Sequence, residues 1–173
     1  LESEGLQYGM VTTDIDGDGM QDLVVRKVRL SFSRVIRALL SGNVSLRLNF
    51  FRMTPDGRYA EKPNYVAKTN VHFSMSSGQV DIAAVAVADF DGDGLKDLIL
   101  QTRPDQLSLS YGIADENLFD DKTTRIEVDL PRNGDLVASE DVDDDGRADL
   151  VMRYTAADGE QAAHIVRLLI ASQ

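Results

Sequence analysis

Three nine-residue segments of the chain share one pattern of acidic residues. Asp14–Asp22, Asp89–Asp97 and Asp141–Asp149 each have Asp at positions 1, 3, 5 and 9 and Gly at position 6. In a tight loop of this kind alternate side chains point inward, Gly permits the sharp bend, and the residue at position 7 can offer its carbonyl oxygen. Because four close carboxylates repel one another unless a divalent cation lies among them, the repeated pattern predicts calcium-binding loops.

The residues around these loops distinguish them from helix–loop–helix calcium sites. Such a site needs a bidentate Glu at position 12, where this chain has Val25, Leu100 and Met152. Each loop instead continues into an apolar run, and a short segment typical of a strand precedes it. The apolar residue at position 2 is expected to pack into a core below the cage. The predicted unit is therefore strand, calcium loop, strand.

With these repeats the chain resembles the FG-GAP repeats of integrin α-chains and the related bacterial VCBS repeats. The resemblance rests on the three D-x-D-x-D-G-x-x-D-L or closely similar segments and on the strand that follows each. It implies four-stranded β-propeller blades that bind calcium in the loop between their first two strands. In place of a Gly-Ala-Pro sequence after the loop, the chain has Val25-Arg26-Lys27, Gln101-Thr102-Arg103 and Arg153-Tyr154-Thr155, which favours the bacterial type.

The resemblance also implies three ligand sets, each with four carboxylates and one backbone oxygen from position 7. They would be Asp14, Asp16, Asp18, Asp22 and Met20; Asp89, Asp91, Asp93, Asp97 and Leu95; and Asp141, Asp143, Asp145, Asp149 and Arg147. Up to three Ca²⁺ ions are expected, and we expect them to stabilise the fold rather than to catalyse or signal. Asp144 replaces the Gly at position 4 of the other copies, which predicts a strained or differently filled third loop.

The charge, the hydrophobicity and the predicted calcium loops of the chain together limit the kinds of partner and the location that we expect. The formal net charge is −11, and the twelve aspartates at positions 1, 3, 5 and 9 contribute −12, so the rest of the chain nets +1. This balance argues against a nucleic-acid partner. No apolar run approaches the ~20 residues that span a bilayer, and we expect no membrane partner. Because extracellular calcium modules work where calcium is abundant, we predict a secreted, extracellular or periplasmic protein.

The spacing of the loops predicts one all-β domain, 1–173, made of three four-stranded β-propeller blades. The loops begin 75 and 52 residues apart, and a blade takes roughly 40–60 residues. The repeats are expected at about 5–75, 76–130 and 131–173. Closed propellers need about four to eight blades, so three form a partial propeller. The chain, which begins with Leu1, is then expected to be a processed or excised piece that packs against the remaining blades of a longer protein, or to form a homodimer.

The first repeat contains a basic insertion, predicted as a short helix over residues 26–42. Residues 23–55 contain no Asp or Glu and seven basic residues, and the apolar residues between Phe32 and Leu40 have helical spacing. Gly42 is a typical C-terminal stop. One interpretation is a helix that caps the propeller; the alternative is a docking surface for an acidic partner or a membrane face.

Motifs of catalysis are absent from the sequence. His72 and His164 lie far apart, and there is no nucleophile elbow, phosphate-binding loop or zinc-protease motif. We therefore predict that the chain is not an enzyme but a calcium-binding module for protein or glycan interaction, such as cell adhesion, in an exported protein. Two alternatives remain: a non-catalytic part of a larger polysaccharide-active propeller enzyme, and an architectural subunit that docks through the basic insertion.

Overall fold

A computed structural model of the chain describes residues 6–28, 40–72 and 81–172, and these residues form three antiparallel sheets. The first sheet contains β1 (Leu6–Thr13), β2 (Asp22–Val28), β3 (Asn43–Phe51) and β4 (Tyr65–His72), in that order. The second contains β5 (Val85–Ala88), β6 (Asp97–Arg103), β7 (Gln106–Gly112) and β8 (Phe119–Glu127). The third contains β9 (Val137–Glu140), β10 (Asp149–Arg153) and β11 (Val166–Leu169). The prediction of an all-β fold is confirmed.

Each Asp segment joins the first two strands of one sheet. The segments follow β1, β5 and β9, and the Asp at position 9 is the first residue of β2, β6 and β10. The predicted order of strand, loop, strand therefore occurs three times. Among the described residues the third sheet has three strands, one fewer than predicted for each repeat.

Alternation along the second strand of each sheet builds the core between sheets. Val24 of β2 and Leu98 of β6 belong to one buried cluster, and Ile99 of β6 and Leu150 of β10 belong to the next. Successive residues of a strand point to opposite faces, so one strand contacts both neighbouring sheets. Burying each such side chain stabilises the fold by about 1.5–3 kcal/mol, which accounts for the stacking of the sheets.

Three aromatic rings join the first sheet to the second. Phe119 lies 5.0 Å from Phe50 and 5.2 Å from Tyr65 between ring centroids, and Phe50 and Tyr65 lie 6.0 Å apart, all edge to face. Such pairs add about 0.5–1.5 kcal/mol beyond the area that they bury.

A close backbone approach joins the second sheet to the third. Ile82 forms a parallel bridge with Asn133, and the amide of Gly134 donates to the Ile82 carbonyl at 2.7 Å. A Cβ atom at Gly134 would lie 2.2 Å from the backbone nitrogen of Ala84, so only glycine fits at this position.

The helix predicted over 26–42 is not seen, and its predicted start is wrong. Arg26, Lys27 and Val28 are the last residues of β2, where they pair with β3. Residues 29–39 lie outside the described residues. Leu40 and Ser41 have a helical assignment, and Gly42 follows with φ 65, in the left-handed region expected of a helix stop. In the described ranges no helix has the length and hydrophobicity of a membrane span.

Candidate metal centres

Each Asp loop brings three of its four carboxylates together. One oxygen from each member of a group lies within 4.8 Å of the others. The groups are Asp14, Asp16 and Asp18 in the first loop, Asp89, Asp91 and Asp97 in the second, and Asp141, Asp143 and Asp149 in the third. Positions 1 and 3 belong to every group. Asp22, Asp93 and Asp145, also expected as ligands, do not belong to these groups.

The Asp at position 9 connects its loop to the end of the third strand. Asp97 is fully buried, and its two carboxylate oxygens each accept a 2.7 Å hydrogen bond, from the amides of Phe90 and Gly112. The corresponding pairs of amides are Ile15 and Met53 for Asp22, and Val142 and Ala171 for Asp149. Because a carboxylate has about four acceptor positions, these bonds leave lone pairs for an ion. This structural role was not recognised from the sequence.

Backbone amides hold the aspartates at positions 1 and 5 in place. In the second loop, Asp89 Oδ2 accepts from the Gly94 amide at 2.9 Å, and Asp93 Oδ1 accepts from the Leu95 amide at 2.8 Å. The same two bonds recur in the other loops, from Gly19 and Met20 and from Gly146 and Arg147. The other oxygen of the Asp at position 1 also accepts from a loop amide in two loops, from Gly92 to Asp89 Oδ1 at 2.6 Å and from Asp145 to Asp141 Oδ1 at 3.1 Å. Because a carboxylate has about four acceptor positions, these bonds still leave lone pairs for a cation.

The third loop keeps the same turn without its glycine at position 4. Gly17 and Gly92 have φ of 72 and 81, and Asp144 has φ 59 at the same position. Asp visits this left-handed region more readily than most residues, because its short polar side chain can bond locally. The strain expected in the third loop is therefore confined to Asp144, whose backbone has the same left-handed conformation as Gly17 and Gly92.

The side chain at position 7 packs against the preceding loop. A Cβ at Gly17 would lie 3.7 Å from Leu95 Cδ2, and one at Gly92 would lie 3.2 Å from Arg147 Cγ. These contacts explain why position 4 is small in the first two loops. The contacts involve only the side chains at position 7. The backbone oxygens of Met20, Leu95 and Arg147 remain predicted ligands.

The electrostatics of the loops favour a bound cation. Burial raises the pKa of Asp97, the charges of Asp91 and Asp93 raise it further, and hydrogen bonds from the Gly112 and Phe90 amides oppose the shift. Burial is also the main cause of the raised pKa values of Asp22 and Asp91. Raised values mean that ionising these groups weakens the fold as pH rises toward neutrality, and a divalent cation reverses this effect.

An unsatisfied oxygen at the first loop also fits a cation. Within the described part of the chain, Asp14 Oδ1 is buried and has neither a hydrogen bond nor an ion pair. Buried acceptors without a partner are rare, and an ion would satisfy them. The first loop also has a cationic neighbour, because Arg52 forms an ion pair with Asp16. This contact was missed from the sequence, where Arg52 lies 34 residues from Asp18.

Comparison with protein families agrees with this arrangement. The FG-GAP-like repeat model matches residues 14–100, 87 of the 173 residues, from the first Asp loop into β6. Searches of the curated proteins and of the solved structures gave no significant match. The third loop lies outside the matched range but repeats the hydrogen bonds of the first two. On the family match, the chain belongs to the FG-GAP-like repeat family.

Proposed function

We propose that the chain is a β-propeller-type repeat module that binds Ca²⁺ in its three Asp loops. The observation that carries this proposal is the threefold recurrence of a group of three carboxylates that includes positions 1 and 3, with the Asp at position 1 held by the same backbone hydrogen bond in each loop. All the candidate donors are oxygens, which suit a hard cation such as Ca²⁺ better than zinc or copper. The proposed ligands are Asp14, Asp16, Asp18, Met20 and Asp22; Asp89, Asp91, Asp93, Leu95 and Asp97; and Asp141, Asp143, Asp145, Arg147 and Asp149.

The role of the ion in this proposal is structural. Bound Ca²⁺ would supply the positive charge that lets the carboxylates remain ionised at neutral pH. The chain's own contribution is positioning, because the Asp at position 9 links the loop to the third strand of its sheet. An ion at about 100 times its dissociation constant stabilises a fold by about 2.7 kcal/mol per site.

Thermal melts of the purified chain test the calcium proposal. We expect added Ca²⁺ to raise the melting temperature and EDTA to lower it, because the ion binds the folded loops and not the unfolded chain. Asp89→Asn should reduce this calcium-dependent shift, whereas Asp105→Asn, at an exposed position outside the loops, should leave it unchanged. A wild-type melt that ignores both calcium and EDTA, with no alkaline earth bound at millimolar supply, would contradict the proposal.

We propose that a propeller continues beyond the third sheet, because the outer face of that sheet is apolar and open. Ile99 pairs with Leu109 and Val151 pairs with Leu168, so Leu168 occupies the position of Leu109. Leu109 is 8% exposed under the third sheet, whereas Leu168 is 47% exposed. The register likewise places Val166 at the position of Leu107, and these residues are 58% and 0% exposed. The remaining blades of a longer protein would cover this face; a second copy of the chain is the alternative.

We further propose that the module mediates protein or glycan interactions, such as adhesion, in an exported protein. Family membership and the calcium chemistry support this role, since extracellular calcium modules bind their ions at about 10⁻⁴–10⁻³ M. Surface plasmon resonance against immobilised glycans and extracellular-matrix proteins, in calcium and in EDTA, tests it. Binding that requires calcium is the expected result, and a complete lack of binding in calcium would argue for an architectural role.

We also propose that the chain is not itself an enzyme. A groove of about 430 Å³ at the junction of the first two sheets contains Asp120 and Asp121. The Asn64 side chain in this groove is already bonded, accepting from the Arg52 amide and donating to the Glu116 carbonyl. The groove lacks, among its described lining residues, a histidine or serine that could act with these carboxylates.

A further inference from the structure

The first Asp loop holds a side-chain cation in its carboxylate group. Arg52, the residue after β3, forms an ion pair through Nε with Asp16 Oδ2, and its Nη2 lies 3.4 Å from Asp18 Oδ2. The Asp16 side chain is only 1% exposed, so this charge pair is shielded from solvent on the Asp16 side. Asp16 and Asp18 are also two of the three clustered carboxylates of this loop.

The other two loops have no basic residue at the position of Arg52. The Asp at position 9 marks the equivalence, since it accepts from the amides of Met53, Gly112 and Ala171 in the three sheets. The residues that precede these amides are Arg52, Tyr111 and Ile170. Among the three described loops, the first is therefore the one with a guanidinium at this position.

Arg147 of the third loop does not replace Arg52. Its Nε lies 3.9 Å from Asp145 Oδ2, at the outer limit of an ion pair, and its stem packs against Gly92 of the second loop. Asp145 is not a member of the clustered group in its loop, whereas Asp16 and Asp18 are members of theirs.

The backbone of Arg52 is fixed by contacts within the first sheet and, through Asn64, with the second sheet. Its amide donates to Asn64 Oδ1 at 2.9 Å, and Asn64 Nδ2 donates to the Glu116 carbonyl of the second sheet at 2.7 Å. The next residue, Met53, forms a bridge with Tyr59, whose hydroxyl donates to the Gln21 carbonyl at 3.0 Å. The guanidinium is thus presented to the loop from an anchored segment.

We infer that Arg52 is a built-in counter-cation that makes the first loop the weakest of the three calcium sites. This inference rests on the proposed calcium function. A Ca²⁺ ion entering the first loop must displace the guanidinium or accept it as a like-charged neighbour, and both reduce affinity. Among the described residues, the second and third loops have no such competitor in their clustered groups, so they fill first. For the same reason the first loop is the one least dependent on calcium.

Loop-resolved NMR titration tests the order of filling. The amides of Gly19, Gly94 and Gly146 each donate to the Asp at position 1 of their own loop, so each amide reports on one site. In calcium titrations of the wild-type chain we expect Gly94 and Gly146 to shift first and Gly19 last. Arg52→Gln should move the Gly19 midpoint to roughly tenfold lower calcium, as expected for the loss of a charged competitor. The Gly94 and Gly146 midpoints should not move.

Arg58→Gln is the matched control, because Arg58 is 84% exposed and its ion pair is with Asp56, outside the loops. This variant should leave all three midpoints unchanged. If Gly19 shifts at the same calcium concentration as the other two, or if Arg52→Gln leaves its midpoint unchanged, the ranking of the sites is wrong while calcium binding stands. If none of the three glycines shifts at millimolar calcium, the calcium proposal itself is wrong, and this inference with it.

If the Arg52→Gln chain folds poorly, the same calcium titration of Arg52→Lys provides a second test. Arg52→Lys keeps the positive charge but not the planar guanidinium. If Arg52 acts through its charge, Gly19 in Arg52→Lys should still be the last of the three to shift. A Gly19 midpoint that falls to those of Gly94 and Gly146 in Arg52→Lys would overturn the role of charge.

Discussion

At the residue scale, one side chain in the second loop and one in the third serve both the candidate ion and the fold. Asp97 belongs to the clustered carboxylates of its loop and also accepts hydrogen bonds from the Phe90 and Gly112 amides. The ligand half of this role follows from the Asp spacing, which is local in sequence. The other half depends on an amide 15 residues away, and its position becomes fixed only when β7 pairs with β6. The spacing of the Asp residues does not predict that pairing.

We expect Asp97→Ala to destabilise the chain even in EDTA. The substitution leaves two buried amides without an acceptor, at about 1–3 kcal/mol each, so the free energy of unfolding should fall by about 2–6 kcal/mol. Urea denaturation in EDTA measures this change. Asp105→Ala, at an exposed position, should change the free energy by less than about 0.5 kcal/mol. A loss for Asp97→Ala that occurs only in calcium would assign the residue to ion binding alone.

At the element scale, sequence periodicity predicts the strands better than their number or ends. The apolar runs after the loops predict β2, β6 and β10 because each strand packs on both faces, which needs a continuous run of apolar residues. The start of the predicted helix failed at Arg26 to Val28, because pairing with β3 extends β2 through these polar and apolar residues alike. Strand pairing of this kind joins segments distant in sequence, so local periodicity does not reveal where it stops.

The contact between the second and third sheets is expected to depend on Gly134. In Gly134→Ala the new Cβ would overlap the backbone at Ala84, and the bridge between Ile82 and Asn133 would have to open. We expect a loss of about 1–3 kcal/mol in the free energy of unfolding, as for other overpacked sites. Asp135→Ala, an exposed neighbour, is the control and should be close to neutral. Equal stabilities of the two variants in urea would show that the contact between the second and third sheets can relax around the added methyl group.

At the scale of the whole molecule, the third sheet differs from the second in what covers it. The same register positions are buried between the second and third sheets and exposed on the outer face of the third. The repeat spacing predicts this open end, because three blades do not close a ring. Which side chains lie on it follows only from the register, since a shift of one residue would exchange the two faces.

Lysine substitutions at equivalent positions test whether the outer face is open. Leu168→Lys should leave the urea midpoint of the isolated chain almost unchanged and reduce its binding of the hydrophobic dye ANS, because Leu168 is largely exposed. Leu109→Lys places a charge in the buried cluster between the sheets and should destabilise the chain strongly. If Leu168→Lys is as destabilising as Leu109→Lys, the outer face is covered in solution, and light scattering would show whether a second copy covers it.

The contact between position 7 of one loop and position 4 of the preceding loop gives the stack a direction. Leu95 reaches back to Gly17 and Arg147 reaches back to Gly92, so each unit presents a different surface to its predecessor and to its successor. Two copies joined by this contact would meet head to tail and not through identical patches. Such heterologous association either closes into a ring or grows as an open filament. A symmetric face-to-face pair would need some other surface of the molecule.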